Sequence, residues 1–161
     1  PGIFDLANSV KRMSTTLARQ IAYFVTIYSG MTMAADRPFI YEERFPDEFD
    51  FIRKVPNNFE KTLPLAGEVG EYYVVARQAR DSEDWFVGGV TDETGRRIHI
   101  SLDFLNDGAY RAYIYTDADH ARYRDNQFAI NKQQKTVGKS DALDLYMAPG
   151  GGFAIRLEKL Q

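Results

Sequence analysis

The apolar residues of this 161-residue chain change their spacing near residue 57, and that change limits the possible folds more than any other feature. Beyond Asn57 they recur every second position, as side chains do on the two faces of a strand. Glu71–Gln78 carries Tyr72, Val74 and Ala76 on one face and Tyr73 and Val75 on the other. Trp85–Val90 reads as a second strand, followed by the turn "TDETG". Ile98, Ile100 and Leu102 alternate with His99 and Ser101, and "NDGA" at 106–109 turns the chain into Tyr110–Tyr115. Further strands fit Gln127–Ile130, Leu143–Met147 and Phe153–Leu157. Short strands joined by short turns make an antiparallel sandwich or barrel and leave no room for βαβ crossovers. The alternation predicts Ile98, Ile100, Leu102, Leu143, Leu145, Phe153, Ile155 and Leu157 inside, with His99, Asp144 and Arg156 more exposed.

Before residue 57 the period is helical. Ser14 or Thr15 is placed to cap a helix over 15–35, with Leu17, Ile21, Phe24, Val25 and Tyr28 on one face. The run "IAYFVTIYSGMTMAA" is apolar on nearly every side, as in a helix buried on several sides, so its packing partners are expected to be missing from this chain. Arg19, Gln20, Ser29, Gly30 and Thr32 interrupt it before a membrane span's worth of apolar residues accumulates. Tyr23, Phe24, Ile27, Tyr28 and Met31 then form an apolar patch, to be covered by self-association through helix 15–35 or by folding back onto the sandwich. A second helix is predicted over Pro46–Lys54. Pro46 suits its first turn, Asp47 and Glu48 its positive end, and Pro56 stops it.

"APGGGFAIRL" at 148–157 poses a choice between a phosphate-cradling loop and a hairpin turn. A phosphate loop needs a helix after its glycines. Here Phe153, Ile155 and Leu157 alternate with Ala154, Arg156 and Glu158, so the stretch is a turn opening a last strand.

Composition removes several functions. A net charge of −3 gives no basic footprint for nucleic acid or an anionic membrane. The absence of Cys excludes disulfides and thiolate chemistry, and two His are too few for a histidine metal cluster. The first residues, Pro-Gly-Ile-Phe-Asp, show neither Met nor a signal-peptide pattern, as expected for a piece of something longer. Four groups of residues offer chemistry. Asp117, Asp119 and His120 in "TDADH" could share a metal, but the oxygen series of an EF-hand is absent and a solvated hairpin loop fits better. His99 on a strand reads as an outward or satisfied polar residue. Glu42, Glu43, Asp47, Glu48 and Asp50 crowd a helix start, which favours negative charge without any catalysis. Trp85, Tyr110, Tyr113 and Tyr115 could stack on a sugar or, as strand aromatics usually do, fill a core. None of these makes an active site, so no catalytic, cofactor-binding or metal-binding residue is assigned.

Five stretches, taken together in this order and spacing, make the chain similar to the C-terminal end of family 97 glycoside hydrolases. They are "PGIF" at 1–4, "STTLARQIAYFVTIYSGMTMAAD" at 14–36, "GEVGEYYVVARQARDSEDWFVGGVTDETGR" at 67–96, "SLDFL" at 101–105 and "APGGGFAIRL" at 148–157. That family comprises bacterial α-glucosidases and α-galactosidases, with an N-terminal β-domain, a (β/α)8 barrel and a C-terminal sandwich. The resemblance implies that residues 1–56 are the mainly helical end of the barrel and 57–161 an antiparallel, Greek-key-like β-sandwich that braces it. It also implies that the two catalytic carboxylates, and the glutamates that bind calcium, lie ahead of Pro1. The segment itself then needs no cofactor. Its partners are the rest of the polypeptide and, through the parent, an oligosaccharide or starch-derived substrate, in the bacterial periplasm or outside the cell. The family usually has Ser-Pro where this chain has Ser29-Gly30. A free-standing carbohydrate-binding sandwich without catalysis is one alternative, and the apolar helix argues against it; a purely structural or oligomerisation domain over 57–161 stays open as another.

Overall fold

The computed structural model describes residues 14–34 and 37–160. The "PGIF" stretch and the rest of 1–13, along with 35, 36 and 161, lie outside the described residues, and so do the parts of the predicted helix and barrel segment that fall there. Helix α1 spans Leu17–Thr26, α2 Pro38–Arg44 and α3 Pro46–Lys54. Strands follow at Phe59–Glu68 (β1), Tyr72–Ala79 (β2), Trp85–Thr91 (β3), Arg96–Ser101 (β4), Tyr110–Asp117 (β5), Ile130–Val137 (β6), Ala142–Met147 (β7) and Gly152–Lys159 (β8).

Six strands form one sheet in the order β1-β2-β3-β8-β5-β6, and β4 pairs with β7 in a second. Each of these pairings is antiparallel, as the short turns predict. The last strand enters between β3 and β5, so the glycine-rich turn delivers β8 to the middle of the sheet. One core lies between the two sheets and includes Val74, Val87, Ile100, Leu102, Leu143, Leu145, Phe153, Ile155 and Leu157. A second core lies on the opposite face of the large sheet, where Leu17, Ile21, Phe24 and Val25 of α1 and Phe51 of α3 meet Val75, Phe86, Tyr115 and Ala154. The molecule therefore has three layers: helices, large sheet and small sheet.

That second core corrects the expectation of an unpartnered helix. The partners of α1 are in this chain, on β2, β3 and β8. Seven of its ten residues are buried, and each large apolar side chain so covered contributes about 2 kcal/mol. Gly88 allows the approach: a Cβ there would lie 2.9 Å from Val25 Cβ and 3.1 Å from the Ala22 carbonyl oxygen. Of the two ways to cover the apolar patch, folding back onto the sandwich is the one observed for Phe24. Ile27, Tyr28, Met31 and Met33 remain exposed.

The helix is also shorter than 15–35. Thr16, rather than Ser14 or Thr15, caps it by accepting the Arg19 N–H at 3.3 Å. The turn stops at Thr26 because the next residues offer the backbone other partners. The Ser29 hydroxyl donates to the Met31 carbonyl and accepts its N–H, a local turn that competes with helix. Helix α3 has the predicted bounds, and Lys54 pairs with Asp50 one turn back at 2.6 Å.

The predicted faces hold for Ile100, Leu102, Leu143, Leu145, Phe153, Ile155 and Leu157, all buried, and for exposed His99 and Asp144. Ile98 is half-buried on the small sheet. Arg156 is also half-buried, because β8 is central and its second face is covered; Asp84 and Glu158 neutralise it at 3.1 and 3.0 Å. Strand β6 lies at 130–137 and not at 127–130: its residues Asn131–Thr136 are exposed on both faces, so it carries no alternation to read. Strand β1 was not predicted, since Pro64 and two register shifts break its pattern at the sheet edge.

Candidate functional site

The glycine-rich loop does hold an anion, and the anion is its own chain's Asp117. This residue ends β5 with its side chain on the α1 side of the sheet. Its Oδ2 accepts the N–H of Ala148 at 2.9 Å and of Gly152 at 2.8 Å. The side chain is buried, with 1% exposure. A Cβ on Gly151 would sit 1.9 Å from the same oxygen, and Gly150 turns the chain at φ 69°. The loop is tied further by the Gly150 N–H to the Asp92 carbonyl at 2.6 Å and the Thr91 N–H to the Gly151 carbonyl at 3.1 Å. On its other side the Gly150 carbonyl accepts the Thr16 N–H and the Gln127 carbonyl accepts the Leu17 N–H, so two orphan donors of α1 end in the same knot. Burial pushes the Asp117 carboxyl up to about 6, against the opposing pull of hydrogen bonds from Thr16, Ala148 and Gly152 and the charge of Arg19.

This arrangement divides "TDADH". Asp117 points inward and its Oδ2 is held by backbone donors, whereas Asp119 and His120 are exposed and Asp119 faces Arg97 at 3.7 Å. The three do not converge. Among the described residues, no group of three or more His, Cys, Asp or Glu is placed to hold a metal ion.

The acids of the helical segment also part. Glu42 and Glu43 face solvent. Asp47 and Glu48 meet the Lys132 ammonium of β6 at 2.9 and 3.0 Å, with Glu48 buried. The Tyr115 hydroxyl donates to the Asp47 carbonyl at 3.2 Å. Burial, then the charges of Asp47, Glu48 and Asp50, push the Tyr115 hydroxyl above its ordinary range. The cluster fastens α3 to the sheet and leaves no acid–base pair around open space. His99 is the outward polar residue expected, with Nδ1 2.9 Å from Asp144 Oδ1. The aromatic platform does not form. Trp85 and Tyr110 are buried in the inter-sheet core, Tyr115 in the core under α1, and the Tyr113 hydroxyl binds Glu158.

Sequence reasoning missed Arg77. It is buried within β2, and its Nε donates 2.7 Å to the Val25 carbonyl at the end of α1. A cation inside an apolar strand is the signal that could have found it. The reasoning also missed Arg96, which joins Glu71 at 2.6 Å and Asp92 across the mouth of the β1–β2 hairpin. Hydrogen bonds from Arg96 and from the Thr94 backbone hold the Asp92 carboxyl down to about 2.

Residues 58–158 match the family described as "Glycosyl-hydrolase 97 C-terminal, oligomerisation". The chain belongs to glycoside hydrolase family 97. Within the family it is 35% identical over 148 residues to a retaining alpha-galactosidase of Bacteroides thetaiotaomicron, covering 89% of this chain and 21% of that protein. A family 97 enzyme from Pseudoalteromonas sp. strain K8, solved in complex with acarbose, superposes with a TM-score of 0.92 at 41% identity, over all of this chain and 26% of that one. A beta-arabinopyranosidase shares the fold at a TM-score of 0.67 and 19% identity, over 88% of this chain and 21% of that one. The chain thus spans about a quarter or less of the length of these relatives, and it corresponds to the C-terminal part of a family 97 enzyme.

Proposed function

We propose that this segment braces the catalytic domain of a family 97 α-glycosidase and supplies no group that touches substrate. One observation carries the reading. Helix α1 is sunk into the sheet on one side, while the chain leaving it still presents Ile27, Tyr28, Met31 and Met33 at 39, 59, 74 and 67% exposure. Phe39 adds to the exposed apolar surface at 54%. Exposure of that extent in one stretch marks an interface. Its occupant under this reading is the (β/α)8 barrel, of which residues 1–56 form the end and 57–161 the adjoining sandwich. Because α1 itself is covered, self-association through it is not part of the proposal.

On this reading the whole protein hydrolyses an α-glycoside, as an α-galactosidase or an α-glucosidase, and the 35% identity to a retaining alpha-galactosidase supports it. Hydrolysis there takes an acid and a second carboxylate flanking the glycosidic bond. The resemblance implies calcium in the parent. Among the described residues, no group of acids fits such an ion: Asp117 faces backbone donors, Glu48 faces Lys132 and Asp92 faces Arg96.

The test uses the full-length enzyme carrying Tyr28→Asp with Met31→Asp. Bracing predicts a lower unfolding temperature with kcat/KM of the folded fraction unchanged. An unchanged unfolding temperature would contradict it.

A further inference from the structure

We propose that a groove at the tip of the β1–β2 hairpin receives the catalytic domain of the same polypeptide, through an apolar side chain of that domain flanked by lysine or arginine. This rests on the bracing reading above and names a second contact surface for it.

The groove encloses about 820 Å3 between the hairpin, the end of β3 and the first turn of α1. Pro64, Leu65, Val69, Tyr73 and Val90 give it an apolar lining. Val69 stands fully exposed beside Gly70, whose φ of 85° makes the turn. Nothing in the fold of this segment requires a valine there, since its side chain buries no surface. An apolar residue at a hairpin tip is accounted for when a partner covers it.

The side of the sheet selects the partner. Tyr73 and Val90 belong to the apolar cluster beneath α1, and Arg19 of α1 forms one wall of the groove. Arg19 is held there by its Nη1, which donates 2.7 Å to the Thr91 carbonyl. Leu65 and Tyr72 pack toward the inter-sheet core instead, so the groove wraps the hairpin tip, and its Arg19–Tyr73–Val90 wall reaches the helical layer, where the bracing reading puts the barrel. This segment spans only 21–26% of its family 97 relatives, so a large body of chain is available to fill it.

Charge selects the chemistry. Glu68, Glu71, Asp92 and Glu93 line the rim. Arg96 neutralises Glu71 and Asp92. Glu68 and Glu93 have no ion-pair partner among the described residues. Two free carboxylates around an apolar floor complement a cationic residue next to an apolar one, and they repel an acidic surface.

Hydrogen–deuterium exchange on the full-length enzyme tests this, comparing wild type with Val69→Asp and with the Glu68→Lys, Glu93→Lys double variant. These side chains are exposed, so the segment's own fold does not depend on them. Docking predicts that exchange at 67–72 is about tenfold slower in wild type than in Val69→Asp, and faster again in the double variant. Equal exchange at 67–72 in all three proteins, with 27–33 still protected, would overturn the groove and leave the bracing reading standing. Loss of protection at both stretches in wild type would remove both. Protection at 67–72 that disappears on dilution would make a second copy the occupant and overturn the proposal.

Discussion

The Asp117 carboxylate oxygen and the Gly152 N–H lie 2.8 Å apart, and this bond fixes where the last strand enters the sheet. Burial raises the folded carboxyl to about 6 from the ordinary 3.8. The fold thus favours the protonated form. The group's contribution to stability is full below pH 3.8, fades as pH rises through 6, and is absent above. A shift of this size is worth roughly 3 kcal/mol. Asp117→Asn keeps an acceptor for Ala148 and Gly152 and removes the titration. Relative to this variant, wild type should lose roughly 2.5 kcal/mol of unfolding free energy between pH 4 and pH 8. Denaturant midpoints across that range check it, and a pH-independent difference would contradict the assignment.

Gly88 and Gly151 are positions where a methyl group has no room. Gly88→Val should push α1 off β3, because Val25 and the Ala22 carbonyl already touch the space. The expected loss is about 3 kcal/mol, within the range for overpacking plus lost burial. Near-ultraviolet circular dichroism should report loosened Phe24, Phe51 and Phe86 packing. Native stability in this variant would mean that α1 is not docked as described.

Lys132 lies between Asp47 and Glu48, and the two sides of that contact differ in burial. Lys132→Met leaves the buried Glu48 carboxylate without its cation, whereas Glu48→Gln leaves a half-exposed lysine that water and Asp47 can serve. The first change should cost more than the second, by about 1–2 kcal/mol. Urea denaturation of both single variants and the double variant decides it. The reverse order would show that the ammonium, not the carboxylate, needs the pair.

Arg77 holds the end of α1 through the Val25 carbonyl. Arg77→Met should fray the helix and cost about 2 kcal/mol, in line with removing a buried hydrogen bond to a charged donor. Faster amide exchange at 24–27 with 17–21 unaffected is the expected signature. Uniform exchange along α1 would contradict the capping role.

The parts of the fold legible in the sequence are those where one face is buried and the other wet. Ile100 and His99, or Leu143 and Asp144, declare their sides because β4 and β7 have water beyond them. Strand β6 hid because both its faces are solvated, and β1 because Pro64 and two bulges break its period. The central strands suggested a two-layer sandwich; that α1 supplies a third layer rests on Gly88, which in sequence is only a glycine in a strand. The glycine loop was legible as a turn, but its carboxylate partner was not, since Asp117 and Gly152 meet only through tertiary pairing. Asp119 and His120, adjacent in sequence to Asp117, point elsewhere because the chain turns at Ala118. No residue pattern marked the β1–β2 groove, which exists only once the hairpin, β3 and α1 are assembled.

Under the bracing reading, a family 97 C-terminal segment supports its enzyme without holding the chemistry. Release of 4-nitrophenol from the α-galactoside and the α-glucoside by the purified 161-residue chain, with calcium present, tests it most directly. No turnover above buffer is expected for the chain, alongside hydrolysis by the full-length enzyme under the same conditions. Turnover that co-purifies with the chain and disappears when Asp117, Glu48 or another of its own carboxylates is replaced by the amide would contradict it.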